Sequence, residues 1–89
     1  MSDSYRLSKD PIEEQGPVNL VGNTIRALRL QKNLSQQELS AKLETLAVYV
    51  CRGSISRIED KQRKVSEREL YAFSKIFRVP MEDLIDKED

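Results

Sequence analysis

The apolar residues of this chain recur every three or four positions, a spacing that places side chains on one face of an α-helix. No stretch alternates apolar and polar residues as a half-buried β-strand does. The pattern therefore predicts a compact all-α domain. The five predicted helices cover residues 20–32, 36–46, 52–60, 67–78 and 81–86.

The first helix is predicted from the stripe Val21, Ile25 and Leu28, at positions i, i+4 and i+7. Asn19 is its predicted N-cap, because an asparagine side chain can accept a hydrogen bond from a free amide at a helix start. Asn33 tolerates left-handed backbone dihedrals and is expected to end the helix.

Two helices begin with a capping box, in which a serine hydroxyl and a glutamate three residues later each bind the other residue's backbone amide. Ser35 with Glu38 opens the second helix, and Ser66 with Glu69 opens the fourth. A cap of this kind stabilises a helix by about 1 kcal/mol. Both helix starts are therefore predicted from local sequence alone.

The third predicted helix has a single buried pair, Ile55 and Ile58. Because a helix with so few apolar residues buries only a narrow stripe, its remaining positions are expected to be exposed. These exposed positions carry Arg52, Gly53, Ser56 and Arg57.

The helical pattern defines one domain over residues 19–86. Residues 1–18 contain prolines and polar residues without a helical period, and we expect a flexible N-terminal arm there. Residues 87–89 are expected to be an acidic tail. The apolar residues of the arm either wrap a partner or belong to a plain disordered leader: Tyr5, Leu7 and Ile12.

The charge distribution favours a polyanionic partner. The 89-residue chain has no net charge, but residues 20–80 carry 12 basic and 6 acidic side chains, while both ends are acidic. A central excess of positive charge suits a domain that binds a polyanion. Charged residues that simply solvate a small domain remain the alternative explanation.

Composition argues against several other classes of protein. The chain has no apolar run of about 18 to 20 residues and no basic or apolar leader at Met1, so we expect a cytoplasmic location without membrane insertion. It has one cysteine, no histidine and no glycine-rich phosphate loop. We therefore expect no enzyme activity, no metal and no cofactor.

Three motifs occur in a particular order along the chain. They are Leu-Ser-Gln-x-Glu-Leu at 34–39, Ile-Ser-x-Ile-Glu at 55–59 and Val-Pro-x-x-x-Leu-Ile at 79–85. In this order they resemble the lambda repressor/Cro-like family of helix-turn-helix proteins, also called the xenobiotic-response-element family. The resemblance implies a five-helix domain whose third helix enters the major groove of DNA.

The chain departs from the family pattern before the third helix. The usual Gly-Val-Ser turn is replaced by a longer segment, Glu44 to Val50. We expect it to extend the second helix through Leu46 or Ala47, with Leu46 facing the core. Cys51 stands at the predicted N-cap, where a thiol is a weak acceptor. The thiol is also a candidate redox sensor, but without a second cysteine a plain cap is the favoured interpretation.

The exposed face of the third helix is predicted to read DNA bases. The planar donor fork of arginine matches the O6 and N7 acceptors of guanine, so Arg52 or Arg57 is predicted to bind a guanine. Gly53 lets the helix lie deeper in the groove, and Ser56 completes the base contacts. The predicted phosphate contacts are Gln36, Gln37, Ser54, Lys61, Arg63 and Lys64. Solvent exposure without a ligand is the plain alternative for each arginine.

The resemblance also implies an ion pair between Arg29 and Glu59, which would orient the third helix without touching DNA.

The predicted function is a sequence-specific transcriptional regulator, a repressor that binds an inverted repeat as a homodimer. The alternative is a protein-interaction module, such as an antitoxin or co-regulator of a toxin-antitoxin or mobile-element system. The candidate dimer surfaces are Met81 with Leu84 and Ile85, or the turn around Tyr49. No small-molecule or protein effector can be inferred.

Overall fold

The computed structural model describes residues 19–87, and all regular structure within them is helical. The all-α prediction is therefore confirmed for this part of the chain. We number the α-helices α1 (Gly22–Gln31), α2 (Gln36–Glu44), α3 (Arg52–Glu59) and α4 (Glu67–Phe77). The predicted arm at 1–18 and the last two residues of the predicted tail lie outside the described residues.

The prediction of a fifth α-helix over 81–86 is wrong. Met81–Leu84 is a single 3₁₀ turn that follows the extended residue Pro80. One turn is enough to bring Leu84 into the core, where it is fully buried. The amide of Asp86 then donates to the carbonyl of Leu20 at 2.6 Å, which holds the chain against the start of α1 and prevents further helix.

The first helix begins later than predicted. Val21 occupies the N-cap position and makes no side-chain cap, while Asn19 lies two residues earlier. Asn19 nevertheless binds the first amides, because its Oδ1 accepts from Val21 N at 2.8 Å and from Gly22 N at 2.7 Å. The predicted cap therefore acts through a turn that precedes the helix.

The four α-helices share one type of ending. Each is followed by a residue with positive φ, and none of these is glycine: Asn33, Ala47, Lys61 and Arg78. In every case the amide of the next residue donates to a carbonyl five positions earlier, at 2.8 to 3.1 Å. This is the Schellman arrangement, which normally favours glycine because a Cβ is strained there. The predicted role of Asn33 is confirmed.

The second helix is shorter than predicted and does not bury Leu46. α2 ends at Glu44, and residues 45–47 form a turn in which Ala47 has φ 61°. Leu46 is 42% exposed, whereas Val48 and Val50 are buried. The left-handed Ala47 reverses the chain, so the two valines take the core positions that a longer helix would have given to Leu46.

All four helices contribute to the core: α3 packs against α1 and α2, while α4 packs against α1, α2 and the 3₁₀ turn. Phe73 is completely buried at the centre of the core and stacks on Phe77, with ring centroids 6.2 Å apart. The other large, completely buried side chains are Ile25, Leu39, Leu43, Ile55, Ile58 and Leu84. Within residues 19–87 no helix is long and apolar enough to cross a membrane.

Candidate nucleic-acid interface

The outer face of α3 carries an exposed cationic surface. Ile55 and Ile58 are completely buried and anchor the helix on the core. Arg52 and Arg57 are exposed on the remaining surface, and Ser56 is half-buried between them along the helix. The two inward isoleucines thus determine which side chains of α3 point to solvent.

Gly53 lies on this face with open space around it. Apart from its chain neighbours and the backbone of its own helix, a Cβ built at Gly53 would meet no heavy atom within 4 Å. Folding therefore does not require glycine at this position. Glycine in fact costs about 1 kcal/mol of helix stability relative to alanine. The absence of a side chain leaves a flat place on the outer surface of α3, where another molecule can approach the backbone closely.

The basic loop after α3 is mostly engaged in ion pairs. Lys61 Nζ lies 3.0 Å from Asp86 Oδ2, and Arg63 binds Glu69 with both guanidinium Nη atoms, at 3.0 and 2.8 Å. The carboxylate of Glu69 raises the pKa of the Arg63 guanidinium, which burial opposes. Lys64 is exposed and has no ion pair among the described residues.

At the start of α2, the three candidate side chains near the helix differ in exposure. Gln37 is exposed and Ser54, on the neighbouring α3, is half-buried. Gln36, also a predicted phosphate contact, is half-buried, and its Nε2 donates to Glu59 Oε1 at 3.1 Å. Its side-chain amide therefore faces the protein. The Ser35 and Glu38 capping box is present at this helix start.

Arg29 and Glu59 form a buried ion pair that joins α1 to the end of α3. Arg29 Nε donates to Glu59 Oε2 at 2.6 Å and Nη2 donates to Oε1 at 3.0 Å. A third guanidinium donor, Nη1, binds the carbonyl of Leu34 at 2.8 Å. The hydrogen bond with Glu59 raises the pKa of Arg29, against the effect of burial. The pair, with Gln36, fixes α3 relative to the start of α2.

Two sets of long-range contacts that position α1 were not recognised from the sequence. Asn19 Nδ2 donates to the carbonyl of Ile58 at 2.8 Å and to that of Arg63 at 3.0 Å, so it ties α1 to the end of α3. Asp86 accepts from the amides of Thr24 at 2.8 Å and Asn23 at 3.3 Å, and so caps α1. Their partners are about 40 and 60 positions away in sequence, and no local signal marks such contacts.

A comparison with known protein families finds a match over a span that includes α2 and α3. The helix-turn-helix family model matches residues 25–84. The chain belongs to this helix-turn-helix family, of the lambda repressor-like type. The matched span contains the whole candidate interface, and the family indicates a DNA-binding regulator. No curated protein matched the chain in a sequence comparison.

Cys51 occupies the N-cap of the second helix of the helix-turn-helix pair. It makes no side-chain hydrogen bond to a helix amide, in agreement with the weak cap expected of a thiol. Its Sγ is exposed and lies 3.5 Å from Ser54 Oγ, and this contact lowers the pKa of the thiol. The structure therefore shows an accessible thiol beside α3.

The candidate dimer surfaces of the helix-turn-helix domain are only partly exposed. Leu84 is completely buried and so cannot belong to a surface, which corrects that prediction. Met81 is half-buried, Ile85 is 45% exposed and Tyr49 is 74% exposed. The last two side chains are therefore the accessible members of the predicted sets.

Proposed function

We propose that this protein is a sequence-specific transcriptional regulator that places α3 in the major groove of double-stranded DNA. The observation that carries the proposal is the exposed pair Arg52 and Arg57 on a helix held by two buried isoleucines. The buried Arg29 and Glu59 pair supports it further, since a reading helix must keep one orientation relative to α2.

Base recognition rests on the outer face of α3. Arg52 or Arg57 binds the O6 and N7 atoms of a guanine, which discriminates against another base by about 1 to 3 kcal/mol. Gly53 allows close approach of the helix backbone to the groove, because the space around it is open. Ser56 lies beside the arginines, and its hydroxyl can either donate a hydrogen bond to a base edge or accept one from it.

Phosphate contacts position the domain without reading sequence. Lys64, Gln37 and Ser54 are available for this role, as are the first amides of α2, which form the positive end of a helix. Lys61 and Arg63 contribute only after they break their ion pairs with Asp86 and Glu69 and bind phosphate oxygens instead. Gln36 would likewise have to leave Glu59. These three residues are therefore secondary contacts in the proposal.

The proposed active form is a homodimer on an inverted repeat, with half-sites about 34 Å apart. A single module of this size buries only about 600 to 1,000 Å² on DNA, and two modules add their binding energies. Ile85, beside the half-buried Met81, offers an exposed apolar side chain for such a dimer to cover, and the turn around Tyr49 is the alternative surface. Occupying DNA is enough to block transcription, so repression is the simplest outcome of this binding.

Selection of bound sequences from a random duplex pool tests the proposal. We expect an enriched inverted repeat that contains guanine in each half-site. Affinity for the selected duplex should fall steeply with salt, and Arg52→Ala or Arg57→Ala should weaken it at least tenfold, about 1.4 kcal/mol. Failure of the protein to bind any duplex at low salt would overturn the proposed function.

A protein-interaction module, such as an antitoxin or co-regulator, is the second candidate. It is favoured by a groove of about 230 Å³ between the turn that follows α2 and α4. The groove is lined by Leu46, Ala47, Val48, Arg68, Tyr71, Ala72 and Lys75. If the chain fails to bind duplex DNA at low salt but binds another protein through this groove, the second candidate is favoured over the first.

A further inference from the structure

The backbone beside Tyr49 is anchored, although Tyr49 lies between two helices. Its neighbours Val48 and Val50 are both buried, whereas Tyr49 between them is exposed to solvent. The carbonyl of Val50 accepts a hydrogen bond from Ser40 Oγ at 2.7 Å. Tyr49 therefore lies on an anchored backbone segment. Binding a partner there requires little additional ordering of the chain, so the entropic cost is small.

The side chain of Tyr49 lies beside the start of α3. It borders a surface depression of about 340 Å³, together with Cys51 and Ser54. Arg52, the first residue of α3, follows it by three positions. A DNA strand that passes the N-terminal end of α3 therefore also passes Tyr49, if α3 lies in the major groove as proposed above.

The chemistry of Tyr49 suits a sugar-phosphate backbone. At 74% exposure it is the most exposed large apolar side chain among the described residues. A tyrosine ring packs against deoxyribose, and its hydroxyl donates a hydrogen bond to a phosphate oxygen. Glu44, whose charge repels phosphate, also lines the depression. The contact therefore depends on the neutral ring and hydroxyl rather than on positive charge.

We propose that Tyr49 contacts the DNA backbone next to the base pairs read by α3, and so extends the binding site beyond α3. The proposal rests on the proposed function. It assigns a role to the segment between α2 and α3, which presents Tyr49 at the edge of the interface. The occupant of the depression is a DNA strand rather than a second copy of the chain.

Affinity for the duplex obtained by selection tests this contact in the full-length protein. We expect Tyr49→Ala to weaken binding about five- to tenfold and Tyr49→Phe, which lacks only the hydroxyl, about two- to threefold. Tyr71→Ala is the matched control. Tyr71 is also exposed, but it lies on α4 and lines the groove between α4 and the turn that follows α2. The control should bind within about twofold of the unmodified protein.

Three further measurements separate a DNA contact from a structural effect. Because tyrosine is neutral, Tyr49→Ala should leave the salt dependence of binding unchanged, whereas Lys64→Ala should reduce the slope by about 0.9. Hydroxyl-radical footprinting should show loss of protection at the backbone positions flanking the site in Tyr49→Ala. The thermal midpoint of unfolding should stay the same, since Tyr49 is outside the core.

The possible failures are distinguishable. If Arg52→Ala weakens binding while Tyr49→Ala binds within twofold of the unmodified protein, the Tyr49 contact is wrong and the proposed function stands. If Tyr49→Ala weakens self-association measured without DNA, Tyr49 belongs to a dimer surface and the inference is overturned. If the unmodified protein binds neither the random pool nor any selected duplex, both proposals fall.

Discussion

Gly22, the first residue of α1, lies against the backbone carbonyl of Ile58 near the end of α3. A Cβ at position 22 would lie 2.4 Å from that oxygen, which is too close for any real contact. The two helices approach so closely here that only glycine fits. The same carbonyl accepts the hydrogen bond from Asn19, so the contact between α1 and α3 is made by two small or polar residues.

Gly22→Ala should therefore lower the free energy of unfolding by about 1 to 3 kcal/mol, because the helices must separate to admit the methyl group. Urea denaturation measures this change. Asn23→Ala is the control, since Asn23 is exposed and is the next residue of the same helix. Equal stability of Gly22→Ala and the control would show that α1 can shift without cost.

Gly53→Ala should have the opposite effect on stability. The space around Gly53 is open, so alanine adds helix propensity and raises the free energy of unfolding by about 0.5 to 1 kcal/mol. If α3 lies close to DNA at this position, the same substitution weakens DNA binding. Denaturation and DNA titration of one variant measure both quantities, and a more stable protein with unchanged affinity would contradict close approach at Gly53.

Ala47→Gly should stabilise the domain by about 1 kcal/mol, because Ala47 has φ 61° and glycine adopts this conformation without strain. Ala41→Gly is a matched control within α2, where Ala41 is exposed. There the same replacement should destabilise by about 1 kcal/mol. Thermal or urea unfolding of the two variants should thus give shifts of opposite sign; shifts of the same sign would refute the left-handed ending of α2.

Glu59→Gln should destabilise folding by about 3 kcal/mol, because it leaves the buried Arg29 guanidinium without a counter-charge. We expect a smaller effect on sequence preference than on stability. Replacing both residues by apolar ones, as in Arg29→Met with Glu59→Leu, should recover part of the loss. A change in preferred DNA sequence at full stability would mean that Glu59 contacts DNA rather than positioning α3.

The domain should lose stability in acid. Burial raises the pKa of Asp86, but Lys61 and the amides of Thr24 and Asn23 lower it more, so its pKa lies below the ordinary value. A carboxyl with a lowered folded-state pKa stabilises the fold fully above its unfolded pKa of about 3.9. This stabilisation disappears as pH falls through the folded value.

Urea denaturation between pH 7 and pH 3 measures the acid effect. Asp86→Asn should make the dependence on pH shallower, since the ion pair with Lys61 is then absent at every pH. Glu69 retains a similar dependence in that variant, because the hydrogen bond from Arg63 lowers its pKa. An unchanged pH profile in Asp86→Asn would show that the charge of Asp86 contributes nothing to stability.

Local features of the fold were predictable because their hydrogen-bond partners are close in sequence. The capping boxes of Ser35 and Ser66 each involve a glutamate three positions away, and both are present. Asn33 ends α1 in the left-handed conformation for the same local reason. The outward direction of Arg52 and Arg57 follows from the helical period once Ile55 and Ile58 are buried.

Other features of the candidate interface depended on which helices meet. The engagement of Lys61, Arg63 and Gln36 by carboxylates from other segments could not be read from composition, since an exposed and a paired cation look alike in sequence. The exposure of Leu46 was also missed, because the strained left-handed residue that ends α2 is an alanine, which carries no turn signal.

The sequence by itself determined the helical class, the capped starts of α2 and α4 and the identity of the outer face of α3, because these depend on spacings of three or four residues. Tertiary structure alone decided that Asn19 binds Ile58, that Asp86 caps α1 and that Gly22 must be glycine. Those contacts join segments far apart in the chain, and they form only after burial of the common core has brought α1, α3 and the end of the domain together.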